Sequence, residues 1–507
     1  MKIVFRTDAS IQIGSGHVMR CLTLAEALRD RGAKVLFICR DLPGNLNAMI
    51  EAKGFDLCRL PAPGSHVAGL SWNRHANWLG VDWSQDAAET LRCLHEVDKS
   101  VDWLVVDHYA LDRQWEVLMR PVAAKIMVID DLADREHDCD LLLDQNLYPD
   151  QDTRYESLLS RNCKQLLGPG YALLRPEFSN LRRQLADRDG QVRRILVFMG
   201  GSDLDDVTSR VLDALKSLQE FMFEVDVVVG ANSPNRKTVE TLCREVPRCN
   251  FHCQVPNLAE LMNKADLAIG GGGSAVWERA CLGVPSLVLG IADNQSALAE
   301  TVGERGCCLY LGMAAEVTTP EIVAAVLTLF KAPGLLQHFS TASRTLTDGR
   351  GVARVVRYLN GPTLRIREAV ADDCEPVFNW RNAPEVRAHF FDPGPLCWDD
   401  HQRWFAGVLG DPMRCLLIGE ADGQPVGVVR YDLAGQSSVV SVYLAPTQLG
   451  QGLGPSLLSA ADQWLVQNRP EVRWVDAEIL PRNVASREAF VAAGYELSYC
   501  IYRRRFA

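Results

Sequence analysis

The most informative stretch of this sequence is Gly14-Ser15-Gly16-His17-Val18-Met19-Arg20-Cys21, which lies between the apolar run Ile3-Val4-Phe5 and an amphipathic pattern over residues 22–28. This order predicts that His17 sits where a strand gives way to a helix. Backbone N–H groups and the helix dipole at such a junction favour an anion, and a histidine there can exchange protons near neutral pH. The stretch predicts proton-transfer chemistry beside a phosphorylated ligand, with a tight turn around a packed histidine as the alternative.

The surrounding sequence predicts an α/β fold. Short β-branched strands alternate with helical patterns, which favours βαβ units on parallel sheets. An irregular crossover at residues 168–176 separates two sets of predicted strands. The first set is Lys2–Arg6, Lys34–Cys39, Trp103–Asp107, Lys125–Ile129 and Leu141–Leu143. The second set is Ile195–Met199, Glu224–Val229, Leu267–Ile269 and Ser286–Leu289. We therefore predict two Rossmann-like domains that face one cleft, at residues 1–160 and 161–360.

A third domain is predicted at residues 363–507. Asn360-Gly361-Pro362 ends a short helical pattern, and the sequence then changes to an α+β character. The predicted strands, several of them antiparallel in pattern, are Leu364–Arg367, Cys415–Gly419, Pro425–Tyr431, Val439–Leu444 and Trp474–Ile479. This segment is long enough to fold alone.

Composition restricts the possible functions and the compartment. A chain of 507 residues with a net charge of −11 exceeds one ordinary domain and argues against general nucleic-acid binding. No uninterrupted apolar stretch is long enough to span a bilayer, and Lys2, Arg6 and Asp8 interrupt any signal-peptide pattern. We therefore expect a cytoplasmic protein without a membrane partner.

The cysteines give no metal or disulfide pattern. The chain has 16 cysteines and no Cys-x-x-Cys, so reduced and mostly buried thiols are expected. Cys243, Cys249, His252 and Cys253 lie near one another, but their spacing matches no standard zinc pattern. No metal is expected.

Four segments at predicted strand ends carry groups suited to a nucleotide. They are the stretch at 14–21, Asp107-His108-Tyr109, Gly200-Gly201-Ser202-Asp203 and the loop from Gly270 to Glu278. Parallel sheets bind ligands at the carboxyl ends of their strands. Glycine N–H groups and the Ser274 hydroxyl can donate to a diphosphate, and Glu278 can accept hydrogen bonds from a ribose diol. Each loop alone is also consistent with a tight strand–helix turn, but four in order favour one shared nucleotide site.

With Arg6-Thr7-Asp8, Gly168-Pro169-Gly170-Tyr171 and Asp293-Asn294-Gln295, these motifs form an ordered set over residues 1–360. The set resembles the nucleotide-sugar hydrolases of pseudaminic acid biosynthesis, which are relatives of the GT-B glycosyltransferases. The resemblance implies a GT-B-like arrangement and a reaction with water. UDP-2,4-diacetamido-2,4,6-trideoxy-β-L-altropyranose would be hydrolysed to UDP and the free sugar, with inversion at the anomeric carbon and without a metal.

The same resemblance implies roles for single residues. His17 is the expected base that activates water. Tyr109 and Asn294 are expected to position the sugar, while Ser274 and Glu278 hold UDP. The other residues expected to bind substrate are Asp8, Gly14, Gly16, Arg20, Gly201, Ser202, Gly273 and Gln295.

A second glycine-rich loop, Gln448-Leu449-Gly450-Gln451-Gly452-Leu453-Gly454, lies between a predicted strand and the helical pattern Ser456–Leu465. Consecutive N–H groups at a helix start suit a pyrophosphate. The chain resembles the GNAT acetyltransferases in the order of three motifs. They are Trp380-Arg381-Asn382, this loop, and the segment from Pro481 to Phe490. The resemblance implies acetyl-CoA as cosubstrate, with direct attack of an amine on the thioester. The residues expected to bind it are Leu444, Gln451, Gly452, Gly454, Asn483 and Ser486.

Two positions depart from the GNAT pattern. Leu449 stands where an arginine or glutamine usually opens the loop, and Phe490 stands where a tyrosine often protonates the leaving thiolate. The remaining candidates for that proton donor are Tyr495, Tyr499 and Tyr502. Glu478 is a candidate acceptor of the amine proton, with a solvated carboxylate as the alternative.

The two resemblances together imply a bifunctional enzyme. Acetyl-CoA would acetylate the 4-amino group of UDP-4-amino-4,6-dideoxy-N-acetyl-β-L-altrosamine, and the product would then be hydrolysed. Its expected partners are the UDP-amino-sugar and acetyl-CoA. The alternatives are a GT-B-like transferase that passes the sugar to an acceptor, the same activities on a related diacetamido sugar, and a regulatory protein that binds acetyl-CoA without turnover.

Overall fold

The computed structural model describes residues 1–64, 72–97, 100–201, 203–218, 220–231, 233–255, 257–360, 364–421, 423–450 and 453–498. The chain forms two compact units, Met1–Val356 and Arg357–Ala507. Seven residues named above lie outside the described residues: Ser202, Gly361, Pro362, Gln451, Gly452, Tyr499 and Tyr502. Among the described helices, no single one is both long and apolar enough to cross a membrane.

The first unit begins with a seven-stranded sheet. Its strands are β1 (Lys2–Thr7), β2 (Lys34–Arg40), β3 (Asp56–Leu60), β4 (Val101–Asp107), β5 (Ala123–Ile129), β6 (Leu141–Asp144) and β7 (Lys164–Leu167). They lie in the order β3-β2-β1-β4-β5-β6-β7 and all pair in parallel. The accompanying helices are α1 (Gly16–Arg29), α2 (Asn47–Ala52), α3 (Trp83–Val97) and α4 (Arg113–Met119). The sheet extends beyond residue 160, because β7 pairs with β6.

A second parallel sheet follows in the same unit. Its strands are β8 (Arg194–Phe198), β9 (Glu224–Val229), β10 (Cys249–Cys253), β11 (Leu267–Gly271), β12 (Ser286–Gly290) and β13 (Leu309–Met313), in the order β10-β9-β8-β11-β12-β13. The helices of this part are α5 (Pro176–Arg182), α6 (Val207–Lys216), α7 (Arg236–Glu245), α8 (Leu258–Lys264), α9 (Ala275–Cys281), α10 (Asp293–Glu304), α11 (Thr319–Phe330), α12 (Pro333–Leu346) and α13 (Gly351–Asn360). The central strands are buried along almost their whole length, as expected for parallel sheets covered on both faces.

The second unit is built on a mixed sheet. Its strands are β14 (Leu364–Glu368), β15 (Arg414–Ala421), β16 (Gln424–Ala434), β17 (Ser437–Leu444) and β18 (Trp474–Ala477), and they follow one another in sequence order. All neighbours are antiparallel except β17 and β18, which are parallel. The helices are α14 (Cys374–Asn382), α15 (Pro384–Arg387), α16 (Trp398–Leu409), α17 (Leu453–Asn468) and α18 (Val484–Ala492). The predicted fold class, two parallel-sheet domains followed by an α+β domain, is confirmed.

One pair of cysteines corrects the expectation of reduced thiols. Cys58 on β3 and Cys93 on α3 form a disulfide across 35 residues of sequence. The segment between them includes Trp78, which packs near His17. The bond therefore fastens both ends of a segment that lines the candidate active site described below.

We expect this disulfide to stabilise the first unit. In the chain-entropy description, a closed loop of this length adds about 4 kcal/mol. A reducing agent should therefore lower the melting temperature of the wild-type protein, as followed by circular dichroism. The Cys58→Ala/Cys93→Ala double variant is the control, because it has no bond to reduce. An equal response of both proteins to the reductant would contradict the expectation.

Candidate active sites

His17 is held by a buried carboxylate at the end of β4. Its Nδ1 lies 2.6 Å from Asp107 Oδ1, and Arg20 donates from Nε and Nη2 to the two oxygens of the same carboxylate, both at 2.6 Å. Burial alone would raise the pKa of Asp107, but Arg20 and His17 outweigh it and hold the pKa well below its usual range. Asp107 is therefore ionised. In the neutral imidazole tautomer whose Nδ1–H donates to this carboxylate, Nε2 carries the lone pair.

Aromatic rings fix the orientation of the imidazole. The His17 ring packs edge-on against Tyr109, with 4.6 Å between centroids, and against Trp78 at 6.2 Å. Trp78 in turn packs against His75. Tyr109 donates its hydroxyl to Asp131, and burial together with the Asp131 charge raises the pKa of Tyr109 well above its usual range. The phenol stays protonated, and the imidazole is held between two ring systems.

A loop of the second sheet comes close to this histidine. A Cβ atom at Gly201 would lie 2.8 Å from Ser15 Oγ in the β1–α1 loop, so these two loops nearly touch. Gly200 has a φ of 109°, a conformation that favours glycine. A Cβ atom at Gly230 would lie only 2.0 Å from the Gly201 carbonyl oxygen. Glycines therefore allow the close backbone approach that brings the two loops together.

The fourth predicted segment, from Gly270 to Glu278, begins at the end of β11. A Cβ atom at Gly273 would lie 3.2 Å from Gln295 Nε2, so Gln295 of α10 packs directly on this loop. Ser274 precedes α9 and makes no side-chain capping bond, which leaves its hydroxyl available to a ligand. Glu278 lies 3.7 Å from Arg175, and burial raises the pKa of its carboxyl despite that arginine. The loop thus combines hydrogen-bond donors with a carboxylate that can accept from hydroxyl groups.

Two expected substrate-binding residues differ from the others in placement. Asp8 is fully buried, with its Oδ1 accepting from the Arg40 backbone N–H at 2.6 Å and lying 2.8 Å from Arg6 Nη1. This argues against direct substrate contact, because the carboxylate is enclosed by its own partners. Asn294 lies in the first turn of α10, next to Gln295, and its side chain is outside the described part of the structure.

In the second unit, an opening between two parallel strands is the main feature. β17 pairs with β16 from Ser437 to Leu444, but it pairs with β18 only from Ser437 to Val440. The backbone of Ser441–Leu444 therefore lacks a described strand partner on the β18 side. Leu444 stands at the end of this open edge. Free N–H groups along such an edge can receive an extended chain or polarise a carbonyl.

Two helices of this unit are in contact, the first turn of α17 with the second half of α18. A Cβ atom at Gly454, in the first turn of α17, would lie 3.3 Å from Ala489 Cβ of α18. Asn483 caps α18 by accepting the Ser486 backbone N–H at 3.1 Å. The structure thus gives Asn483 a capping role and uses the backbone N–H of Ser486 in that cap.

The hydroxyl of Tyr495, one of the candidate proton donors, is bonded to a carboxylate in the observed geometry. Phe490 is buried and packs edge-on against the Tyr495 ring at 4.9 Å. The Tyr495 hydroxyl donates to Asp462, with distances of 2.9 and 3.1 Å, and Tyr431 donates to the same carboxylate at 2.5 Å. Burial and Asp462 raise the pKa of Tyr495 well above its usual range. Glu478 is exposed, just beyond β18.

We expect Gly427→Ala to impair this unit selectively. Gly427 lies on β16, where a Cβ atom would be 2.8 Å from both the Tyr443 carbonyl oxygen and Leu457 Cδ2 of α17. The added methyl group must push α17 or β17 away, at a cost of about 1–3 kcal/mol. Gly407→Ala is the matched control, because nothing lies within 4 Å of that position. Thermal unfolding should show a loss for the first variant only, and equal melting temperatures would contradict the argument.

No group of three or more His, Cys, Asp or Glu side chains is arranged for a metal ion within the part of the chain that the structure describes. His252 instead places Nε2 at 2.8 Å from Asp226 Oδ1. Cys243 and Cys249 hydrogen-bond to each other, which raises the pKa of Cys249. These contacts involve three of the four side chains weighed above as zinc ligands, Cys243, Cys249 and His252.

Comparison with known proteins matches a different family model to each of the two units of the chain. The family model of the acetyltransferase (GNAT) domain matches residues 363–496, and that of the glycosyltransferase family 28 C-terminal domain matches residues 194–350. The UDP-2,4-diacetamido-2,4,6-trideoxy-β-L-altropyranose hydrolase of Campylobacter jejuni is 26% identical over 307 residues, which cover 60% of this chain and 97% of that enzyme. The chain is a homologue of this hydrolase and carries a GNAT domain.

Two further relatives differ in how much of the chain they cover. SpsG of Bacillus subtilis, a spore coat polysaccharide biosynthesis protein, is 30% identical over 209 residues, which are 41% of this chain and 61% of SpsG. The uncharacterized protein MJ1062 of Methanocaldococcus jannaschii is 22% identical over 519 aligned residues, or 98% of this chain and 97% of that protein. The spinosyn rhamnosyltransferase SpnG in complex with thymidine diphosphate has a TM-score of 0.50 at 18% identity, covering 71% of this chain and 99% of SpnG. The hydrolase-like part therefore has a GT-B fold.

Sequence reasoning missed several residues around the hydrolase-like site. Asp131 accepts the hydrogen bond of the Tyr109 hydroxyl, yet it was not predicted, although it lies just beyond the carboxyl end of the predicted strand Lys125–Ile129. The place of Asp131 at the carboxyl end of a predicted strand is the sequence feature that could have identified it. Trp78 and His75 lie in an irregular segment with no periodic pattern, and nothing in the sequence indicated that they pack near His17.

Proposed function

We propose that this chain is a bifunctional enzyme that acts twice on one sugar nucleotide. Its GNAT domain uses acetyl-CoA to acetylate the 4-amino group of UDP-4-amino-4,6-dideoxy-N-acetyl-β-L-altrosamine. Its hydrolase-like part then converts UDP-2,4-diacetamido-2,4,6-trideoxy-β-L-altropyranose to UDP and the free sugar. The observation that carries this proposal is the contact between the ionised Asp107 carboxylate and Nδ1 of His17, in a homologue of that hydrolase. We further propose that the protein works in the cytoplasm, without a metal, nucleic acid or membrane partner.

In the hydrolytic step, water attacks the anomeric carbon from the face opposite to UDP. Nε2 of His17 takes the proton from the water as the new C–O bond forms. Asp107 stabilises the imidazolium that results, and Arg20 keeps the carboxylate in place through two hydrogen bonds. The bond between the anomeric carbon and the diphosphate oxygen breaks, and the configuration is inverted.

The departing UDP needs donors that stabilise its charge. We assign this role to the glycine loops at Gly14–Gly16, Gly201–Ser202 and Gly273–Ser274, whose N–H and hydroxyl groups require no proton transfer. We assign to Glu278 the acceptance of hydrogen bonds from the ribose, and to Tyr109, Asn294 and Gln295 the positioning of the sugar.

In the acetyl-transfer step, the 4-amino group attacks the thioester carbonyl of acetyl-CoA. The open edge of β17 offers backbone N–H groups that polarise this carbonyl, and it ends at Leu444. We assign the CoA pyrophosphate to the segment from Gln451 to Gly454, and the pantetheine arm to the region of Asn483 and Ser486. The amine loses a proton, and CoA leaves as the thiol.

Mass spectrometry and proton NMR on the purified protein test both steps. The amino-sugar nucleotide should gain one acetyl group only when acetyl-CoA is present, after which UDP and the free diacetamido sugar should appear. An acetylated product that keeps its UDP would indicate a transferase that lacks its acceptor. Failure of any acetyl gain would remove the first step from the proposal.

A further inference from the structure

A chain of buried hydrogen bonds connects the two sheets of the first unit. Trp277 of α9 donates from Nε1 to Asn146 Oδ1 at 3.0 Å, and Asn146 donates from Nδ2 to Asp131 Oδ2 at 2.9 Å. Trp277 is fully buried, and Asn146 and Asp131 are nearly so. In such surroundings each polar group depends strongly on its partner, because water cannot replace it.

The far end of this chain reaches both neighbours of the histidine. Asp131 accepts the hydroxyl of Tyr109, whose ring packs on His17, and its Oδ2 lies 3.7 Å from Arg20 Nη1. Arg20 is the residue that holds Asp107. The Asp131 carboxylate therefore contacts both Tyr109, which packs on the His17 ring, and Arg20, which holds Asp107.

The near end of the chain belongs to the nucleotide-binding part of the site. Trp277 directly precedes Glu278 and follows the loop that contains Gly273 and Ser274. Any shift of α9 changes the position of the Trp277 indole N–H relative to Asn146. Through Trp277, Asn146 and Asp131, direct side-chain hydrogen bonds thus join α9 to the surroundings of His17.

We propose that Asp131, Asn146 and Trp277 are positioning residues that transmit the placement of the α9 loop to Tyr109 and Arg20, and so to His17. This inference rests on the proposed hydrolytic function. The three residues touch neither the water nor the leaving group, and they act through the alignment of the base. Their contribution should therefore appear in turnover more than in substrate affinity.

Trp277→Phe tests the relay, because it keeps an aromatic ring and removes the indole N–H; the volume it also removes from the core is matched by the control below. We expect kcat for UDP release to fall about tenfold, which corresponds to the loss of one hydrogen bond of about 1.4 kcal/mol, with KM nearly unchanged. Trp115→Phe is the matched control. Trp115 is also fully buried and also donates from Nε1 to a buried carboxylate, Asp86 at 3.1 Å, but that network does not contact Tyr109 or Arg20.

A double-mutant cycle separates positioning from loss of stability. Trp277→Phe and Asn146→Ala break the same bond, so the double variant should lose no more turnover than Asn146→Ala alone. Trp115→Phe and Asn146→Ala should affect stability independently, and Trp115→Phe should leave kcat unchanged. If Trp277→Phe does not fold, Asn146→Ala tests the same bond from the other side.

The two ways of failing are distinct. An active wild-type enzyme whose Trp277→Phe and Asn146→Ala variants keep full kcat would overturn the relay alone. A rise in KM at constant kcat would also overturn it and would limit Trp277 to nucleotide binding. A wild-type protein that releases no UDP would instead overturn the proposed function on which the relay rests.

Discussion

We expect His17→Ala to lower the rate of UDP release by about 10³-fold, a loss within the usual range for removing a general base. Nδ1 of the imidazole is engaged by an ionised carboxylate, so Nε2 is the atom that we propose accepts the proton of the water. Alanine removes this acceptor, and attack by water then requires a poorer base. UDP release from the purified diacetamido sugar nucleotide, followed without any acceptor, measures the effect.

Asp107→Asn tests the same assignment without removing the imidazole. The asparagine keeps the size of the side chain but cannot stabilise an imidazolium, so we expect a loss of about 10²-fold or more. The GNAT domain gives an internal control, since acetyl transfer should be unchanged in both variants. Full UDP release by His17→Ala would remove His17 from the role of base, whatever the behaviour of Asp107→Asn.

The second large effect is expected from Asp86→Ala, which should lower the free energy of unfolding by about 3–5 kcal/mol. Asp86 on α3 is fully buried and accepts hydrogen bonds from Arg6 at 3.2 and 2.6 Å and from Arg40 at 2.7 Å. Removing the carboxylate leaves two guanidinium groups in the core with fewer partners. Urea unfolding followed by circular dichroism measures the loss.

The pH dependence of this contribution has a definite sign. Burial alone would raise the pKa of Asp86, but Arg6 and Arg40 outweigh it and lower the pKa to about 2. The stabilisation is therefore present above the ordinary carboxyl pKa and is lost as pH falls through about 2.

The matched control is Asp189→Ala, because Asp189 forms an exposed ion pair with Arg193. Its effect should stay within about 0.5 kcal/mol. Equal stability of Asp86→Ala and Asp189→Ala would contradict the buried network.

The central strands of both parallel sheets were predictable from sequence, and the edge strands were not. β1, β4, β8 and β11 each contain an unbroken apolar run, because each is buried on both faces. The four strands that sequence reasoning missed, β3, β7, β10 and β13, are the edges of the two sheets. Edge strands are half-buried and tolerate polar residues, as in Cys249–Cys253, so they lack the apolar pattern on which prediction depends.

Local motifs identified His17 and Arg20 because a helix start has a recognisable sequence. Their interaction with Asp107 joins residues 87 to 90 positions apart, which no local pattern encodes. The same holds for Trp277 and Asn146, which are 131 positions apart. Asp8 shows why such motifs leave roles open, since a polar residue after a strand can be a buried structural carboxylate as easily as a ligand-binding one.

The most direct test of the account is hydrolysis of the UDP-diacetamido sugar in water labelled with ¹⁸O, with no acceptor added. Attack at the anomeric carbon predicts UDP without label, a sugar that has gained one ¹⁸O atom, and an inverted anomer in the first NMR spectra. Label in the released UDP would place the attack at phosphorus and contradict the assigned role of His17. Absence of UDP release would contradict hydrolysis itself and favour a transferase that requires an acceptor.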